Sequence, residues 1–165
     1  LIEFAFVGND PSGLLIYSPR NVSRARTRGL EASASARLGL MRLNADYAFL
    51  DARSIDDDVA LDRRARHSGR VRVGTDIGIL DGMGVDFTVH LTGDAPLIGT
   101  DSLGQPAEIG TQEALVSIDG QVAVDFPLGL RMTFGADNLL DTRPAGWQTV
   151  IGRRFRAGLE ARDLF

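Results

Sequence analysis

The chain has 165 residues, 44% of them hydrophobic, with a mean hydropathy of −0.02 and a formal net charge of −4. No run approaches the roughly 18–20 apolar residues of a helical membrane span, and the acidic balance leaves no basic surplus to meet the phosphates of a nucleic acid. There is no cysteine, which excludes disulfides and thiolate metal sites.

Residues 1–7 form a short apolar run, and the turn-rich Gly8-Asn9-Asp10-Pro11-Ser12-Gly13 follows, from which Leu14–Tyr17 is placed to pair back. From Asn21 a polar approach, Arg24-Ala25-Arg26-Thr27-Arg28, leads into Gly29 and a regular alternation. Leu30, Ala32, Ala34, Ala36 and Leu38 share one face of this strand, and Glu31, Ser33, Ser35 and Arg37 the other. Successive side chains of a strand point to opposite sides, so this pattern predicts a sheet with one apolar and one charged face. After a tight turn at Gly39-Leu40, Met41, Leu43, Ala45, Tyr47 and Phe49 oppose Arg42, Asn44, Asp46 and Ala48.

A polar segment spans Asp51–Ser68. The next strand sets Val71, Val73, Thr75 and Ile77 against Arg70, Arg72 and Asp76. Asp81-Gly82-Met83-Gly84 supplies the glycines of a tight reversal. Val85, Phe87, Val89 and Leu91 then oppose Asp86, Thr88 and His90, and Gly93–Gly110, with Pro96 and Pro106, reads as a loop. Ala114, Val116, Ile118, Val122, Val124 and Phe126 oppose Ser117, Asp119, Gln121 and Asp125. Pro127-Leu128-Gly129 turns the chain into a final hairpin, Leu130–Leu139 and Arg154–Phe165, built on the same alternation.

This makes eight predicted strands, with short turns near residues 39, 82 and 128 and long connections near 10, 58, 101 and 146. Alternating short and long connections mean antiparallel neighbours and two unlike ends, the asymmetry of outer-membrane barrels. A strand of about 11 residues at ~3.3 Å each, tilted about 40°, rises roughly 28 Å and covers an apolar band of roughly 25 Å. The same alternation also fits a soluble barrel with its apolar face inward. The balance of both charge signs on one face, strand after strand, favours the membrane form, with the ions in a wet lumen. Phe49, Phe126, Phe155 and Phe165 stand near strand ends, where interfacial aromatics belong. All 18 basic residues are arginine; a GC-rich genome explains that, and so does a need for planar guanidinium groups in ion-pair ladders.

Several segments resemble the TonB-dependent outer-membrane receptors. Asn21–Glu31, in which an Asn leads to a Gly-Leu-Glu step, is similar to a descending strand of that family, and Tyr47–Arg53 to the next ascending one. Gly135-Ala136-Asp137-Asn138-Leu139-Leu140-Asp141 resembles the family's Asn-Leu-Phe-Asp segment, with Leu140 in place of the usual Phe. Gly152–Phe165 resembles the closing strand, although Asp163 stands where the family is usually apolar or aromatic. The resemblance covers essentially the whole chain. It implies a barrel of about 22 strands with an N-terminal plug, importing ferric siderophores or cobalamin-like ligands with energy from the TonB complex. Residues 1–165 then form the C-terminal, all-β antiparallel part of the barrel, about eight strands without the plug, in the outer membrane of a Gram-negative bacterium. Leu1, without a leader before it, fits a segment of a longer chain.

The sites expected on this reading are structural. Arg37, Arg42, Asp46, Arg72, Asp76, Asp119, Arg131, Arg156 and Glu160 make a lumen-facing charged wall whose arginines pair with carboxylates on neighbouring strands. Phe165 is the C-terminal assembly signal. The expected partners are membrane lipid, the TonB complex and plug through the rest of the protein, and the barrel-assembly machinery through the last strand. No cofactor, metal or catalytic site is expected. Asp56-Asp57-Asp58 reads as a solvated loop in preference to a calcium site, since no glycine or bidentate Glu follows at a loop-like spacing. His90 with Asp86 and Ser117 lacks a marked nucleophile, His67 and His90 are far apart in sequence, and Trp147 reads as loop packing. A self-contained eight-stranded barrel of structural or adhesive role is the alternative.

Overall fold

The computed structural model describes residues 2–21, 24–77, 82–144 and 150–161. They form eleven strands: β1 (Ile2–Asn9), β2 (Leu15–Asn21), β3 (Ala25–Leu38), β4 (Met41–Ser54), β5 (His67–Ile77), β6 (Met83–Thr92), β7 (Ala95–Thr100), β8 (Pro106–Gln112), β9 (Leu115–Phe126), β10 (Leu130–Asp137) and β11 (Arg154–Ala161). Apart from one 3-10 turn at Pro127–Gly129, no helix occurs among the described residues. The architecture is all-β, as the alternation requires. Trp147, Asp163 and Phe165 lie outside the described residues.

Eight of the strands coincide with the eight read from the sequence; β2, β7 and β8 are additional. The pairing of Leu14–Tyr17 back onto the first strand is present, with Phe6 opposite Tyr17. The stretch 93–110 is not a loop but carries the hairpin β7–β8, in which Leu97 faces Gly110 and Thr100 faces Pro106. Its prolines are tolerated for local reasons. Pro106 opens the edge strand β8, and β7 meets β1 at the single position Phe6–Gly99, away from Pro96.

The chain divides into two compact units. The first comprises Leu1–Glu31, Ala48–Ser68 and Gly93–Ala114. Its four-stranded sheet has the order β2-β1-β7-β8, antiparallel except for the one parallel position between β1 and β7. The segment after β4 folds back on it: Leu61 N donates to Ala52 O at 2.9 Å, and the two side chains, both buried, pack with Leu50. Arg63 N donates to Pro96 O at 2.9 Å and Asp62 Oδ1 accepts Ile98 N at 2.9 Å, so residues 62 and 63 are tied to β7, one through its carboxylate and the other through its backbone amide.

The second unit comprises Ala32–Tyr47, Gly69–Thr92 and Leu115–Phe165. Its strands lie in a seven-stranded sheet of order β11-β10-β9-β6-β5-β4-β3. Register keeps like with like. Val85 faces Val122, Val89 faces Ile118 and Leu91 faces Val116 across β6–β9. Phe134 faces Val122 on one side and Ala157 on the other, and Met132 faces Val124 and Leu159. Gly120 interrupts the apolar row of β9 because Phe87 lies opposite; a Cβ there would sit 3.2 Å from the Phe87 ring.

Nothing covers the apolar face among the described residues. Phe87 and Phe134 are 50% exposed and Leu159 is 70% exposed. Leu43 is likewise exposed, Val73 and Val122 are half-buried, and no large side chain is fully enclosed. Among the described residues these side chains are not gathered into a dry interior.

The short connections are tight. Gly39, after β3, and Gly82, before β6, have φ of 61° and 86°. A Cβ on Gly82 would lie 2.7 Å from Asp125 Cβ, while Gly82 O accepts Asp125 N at 2.9 Å. Gly82→Ala is therefore expected to destabilise the protein by about 1–2 kcal/mol, the cost of a left-handed non-glycine residue, read as a lower denaturant midpoint of the folded barrel.

Candidate functional site

The face opposite the apolar one carries the ions, and each boundary between neighbouring strands from β3 to β11 is crossed by at least one polar bond. Ser33 on β3 donates to Asp46 on β4. Asp46 also accepts Arg70 of β5 at 2.8 Å, and Arg42 of β4 bonds Asp76 of β5 at 2.5 Å. Arg72 of β5 meets Asp86 of β6 at 3.1 Å, and His90 of β6 meets Asp119 of β9 at 3.1 Å. Arg131 of β10 lies 3.5 Å from Asp125 of β9. Asp137 of β10 takes two guanidinium groups from β11, Arg154 at 2.9 Å and Arg156 at 2.8 Å.

These bonds follow from register. Residues of one parity share a face, and antiparallel pairing brings Arg131 opposite both Asp125 and Glu160 and Asp137 opposite Arg154. The side chains are part-exposed, so each pair taken alone is weak. Their collective effect is to hold long side chains in set positions. Two open concavities result. One of about 460 Å³ is lined by Asn44, Asp46, Arg70, Arg72, Thr88 and His90. The other, of about 470 Å³, lies among Arg42, Asp76, Asp86, Asp125 and Arg131. In both, cations sit beside carboxylates, which suits a polar wall better than a pocket for one charged ligand.

The structure thus brings Arg42, Asp46, Arg72, Asp76, Asp119, Arg131 and Arg156 into cross-strand bonds. Arg37, near the end of edge strand β3, makes no ion pair with a described residue. Arg70, Asp137 and Arg154 belong to the same network; Arg70 and Asp137 were readable by parity as members of the charged face, none of the three was among the expected wall residues, and their partners follow only from register. The carboxylate on His90 is Asp119, whereas Asp86 is engaged by Arg72. Ser117 is opposite His90 in register. Each residue of the acidic run has a separate partner: Asp56 binds Arg24 at 2.6 Å, Asp57 accepts the Ser54 hydroxyl at 2.8 Å, and Asp58 lies 3.7 Å from Arg53. His67 packs on Phe49, with ring centroids 5.4 Å apart.

A family model described as TonB dependent receptor-like, beta-barrel matches residues 1–139. The chain belongs to the TonB-dependent receptor family. Among solved structures, the siderophore receptor PirA from Acinetobacter baumannii matches with a TM-score of 0.65 at 16% identity, covering 96% of this chain. FpvA of P. aeruginosa, solved bound to heterologous pyoverdines, matches with a TM-score of 0.58 at 18% identity, covering 81% of this chain. At these identities the likeness is one of fold. The chain spans 26% of the PirA chain and 18% of the FpvA chain. No curated protein sequence gives a significant match. The TonB-dependent receptor barrel accounts for the antiparallel strands and for a seven-stranded sheet in which β3 and β11 are edges, each with one neighbour.

The turn between β1 and β2 in this receptor segment has its own anchor. Asp10 Oδ1 accepts the Ser12 hydroxyl at 2.6 Å and the amides of Ser12 and Leu14 at 2.8 and 2.9 Å. The Ser12 hydroxyl first, and then the Leu14 amide, hold its carboxyl below the ordinary value of 3.8. A depressed carboxyl stabilises the fold fully above the unfolded value and loses that contribution as pH falls through the folded one. Protection of the Ser12 and Leu14 amides, measured against their intrinsic exchange rates, is therefore expected to fall only below about pH 3.8. Asp10→Asn, which keeps an accepting oxygen, removes this acid step.

Proposed function

We propose that residues 1–165 are part of the C-terminal barrel wall of an outer-membrane receptor that imports a ferric siderophore. The observation that carries this is the pairing of an uncovered apolar face with an ionically cross-linked opposite face in a chain of this family. Lipid acyl chains take the first face and the wet interior of the barrel takes the second. The binding of pyoverdines by FpvA and the description of PirA as a siderophore receptor support the substrate class. Arg37, Arg42, Asp46, Arg72, Asp76, Asp119, Arg131, Arg156 and Glu160 serve the lumen wall and do not form the ligand site. The plug and the TonB-contacting segment belong to the rest of the protein. Phe165 serves as the C-terminal assembly signal for the barrel-assembly machinery. The self-contained eight-stranded barrel is less well supported, because it leaves the family match unexplained.

The test uses the full-length protein in a Gram-negative outer membrane. Ferric-siderophore uptake that disappears without TonB is the expected result; uptake of corrinoids alone moves the substrate to the cobalamin class, and no TonB-dependent uptake of either overturns the reading. The facing of the wall is tested separately. Phe87→Arg is expected to cost about 2–4 kcal/mol of barrel stability, as arginine does at the lipid midplane, whereas Gln121→Arg on the opposite face costs much less. Equal costs refute the assignment of faces.

A further inference from the structure

Alternation leaves one error uncorrected. A slip of one residue between β10 and β11 turns every apolar side chain to the wrong face and is strongly disfavoured. A slip of two residues keeps the faces intact. Charge opposes it only weakly, because Arg154 and Arg156 are two residues apart and both already reach Asp137, and the Arg131–Glu160 rung that a slip would lose is part-exposed. Something else must select Leu130–Ala161, Met132–Leu159 and Phe134–Ala157 as the pairs that form.

The segment just after β10 has the right contacts. Asn138, 6% exposed with φ of 50°, donates from Nδ2 to Thr142 O at 3.1 Å and to Ile151 O at 3.3 Å, and its Oδ1 accepts Thr142 N at 2.9 Å. Asp141, with φ of 51°, accepts Arg153 N at 2.8 Å and Arg143 Nη2 at 2.9 Å through Oδ1. The Arg153 amide first, and then the Arg143 guanidinium, hold its carboxyl below the ordinary range. Left-handed backbone at these two positions suits Asn and Asp, whose short polar side chains tolerate it. On the other side the segment is fixed to β9: Asn138 N donates to Asp119 Oδ1 at 2.9 Å, and Leu139 N to Ile118 O at 2.7 Å.

We propose that Asn138 and Asp141 form a strand-return clasp, which is anchored on β9 and grips the backbone of Ile151 and Arg153 so that β11 enters the sheet at the Asp137–Arg154 rung and no other. These grips are on backbone groups at fixed places in the chain. They discriminate an even slip, which side-chain chemistry opposes only weakly. The clasp thus sets the register of the last strand, and it does so independently of the ligand the receptor carries.

The experiment uses disulfide trapping in the full-length protein, in the membrane or detergent from which it is isolated. Met132→Cys is combined with Leu159→Cys for the observed register, with Ala157→Cys or Ala161→Cys for the slipped ones, and with Val124→Cys as a control on β9–β10. In the Asn138→Ala/Asp141→Ala background the 132–159 bond is expected to fall several-fold and a slipped bond to appear, with 132–124 unchanged. Asp141→Asn, which keeps an acceptor for the Arg153 amide, restores the 132–159 bond when it replaces Asp141→Ala. If the double variant does not assemble, Asp141→Ala alone, with Asn138 intact, is expected to give a smaller shift of the same kind. An unchanged 132–159 bond overturns the proposal. So does a parallel loss of 132–159 and 132–124, which marks a general loss of stability.

Discussion

The structure depends on parity. In every pairing resolved across β6, β9, β10 and β11, residues of one parity meet residues that belong to the same face. Shifting one strand by a single residue would put Phe87, Phe134 and Leu159 among arginines. In the lipid proposed above for the apolar face, which cannot hydrogen-bond a stray backbone group, the ladder bonds must also be complete. Backbone satisfaction and the two-faced pattern therefore demand the same arrangement, and each reinforces the other.

The ionic face is a consequence of that arrangement and also strengthens it. No single pair is strong, since the partners are part-exposed. The bonds run across strand boundaries and not along strands, so they add a weak resistance to shear to that of the backbone ladders. Arginine suits this role. Its fork stays charged at any accessible pH and reaches a carboxylate with two donors, as Arg70 does at Asp46 and Arg154 does at Asp137. At the β6–β9 boundary the bridge is His90–Asp119.

Much of this was legible in the chain itself. The strands of the seven-stranded sheet announce themselves because half-buried strands must alternate, and the turns around Gly39, Gly82 and Gly129 because only a few residues accept positive φ. The hairpin β7–β8 was not legible. Its strands are six and seven residues long and carry Pro96 and Pro106, so the local signals of a loop outweigh a weak alternation. Tertiary bonds from Asp62 and Arg63 support β7, and no local pattern reveals them. Of the charged face, membership was readable from parity, but the partners were not. Pairing Asp119 with His90 and Asp137 with two arginines requires knowing which strands adjoin and in what register. The role of Asn138 was hidden for the same reason, since its bonds reach Ile151 and its backbone amide reaches Asp119.

Strands β6 and β9 adjoin although the chain makes a long excursion between them, leaving at Thr92 and returning at Leu115, which face each other. Everything between those two residues begins and ends at a gate that the ladder holds shut. The entropy of closing such an excursion grows only slowly with its length. Residues 93–114 are therefore an insertion whose length the β6–β9 ladder does not dictate: changes at the turn between β7 and β8 leave the Thr92–Leu115 rung as it is.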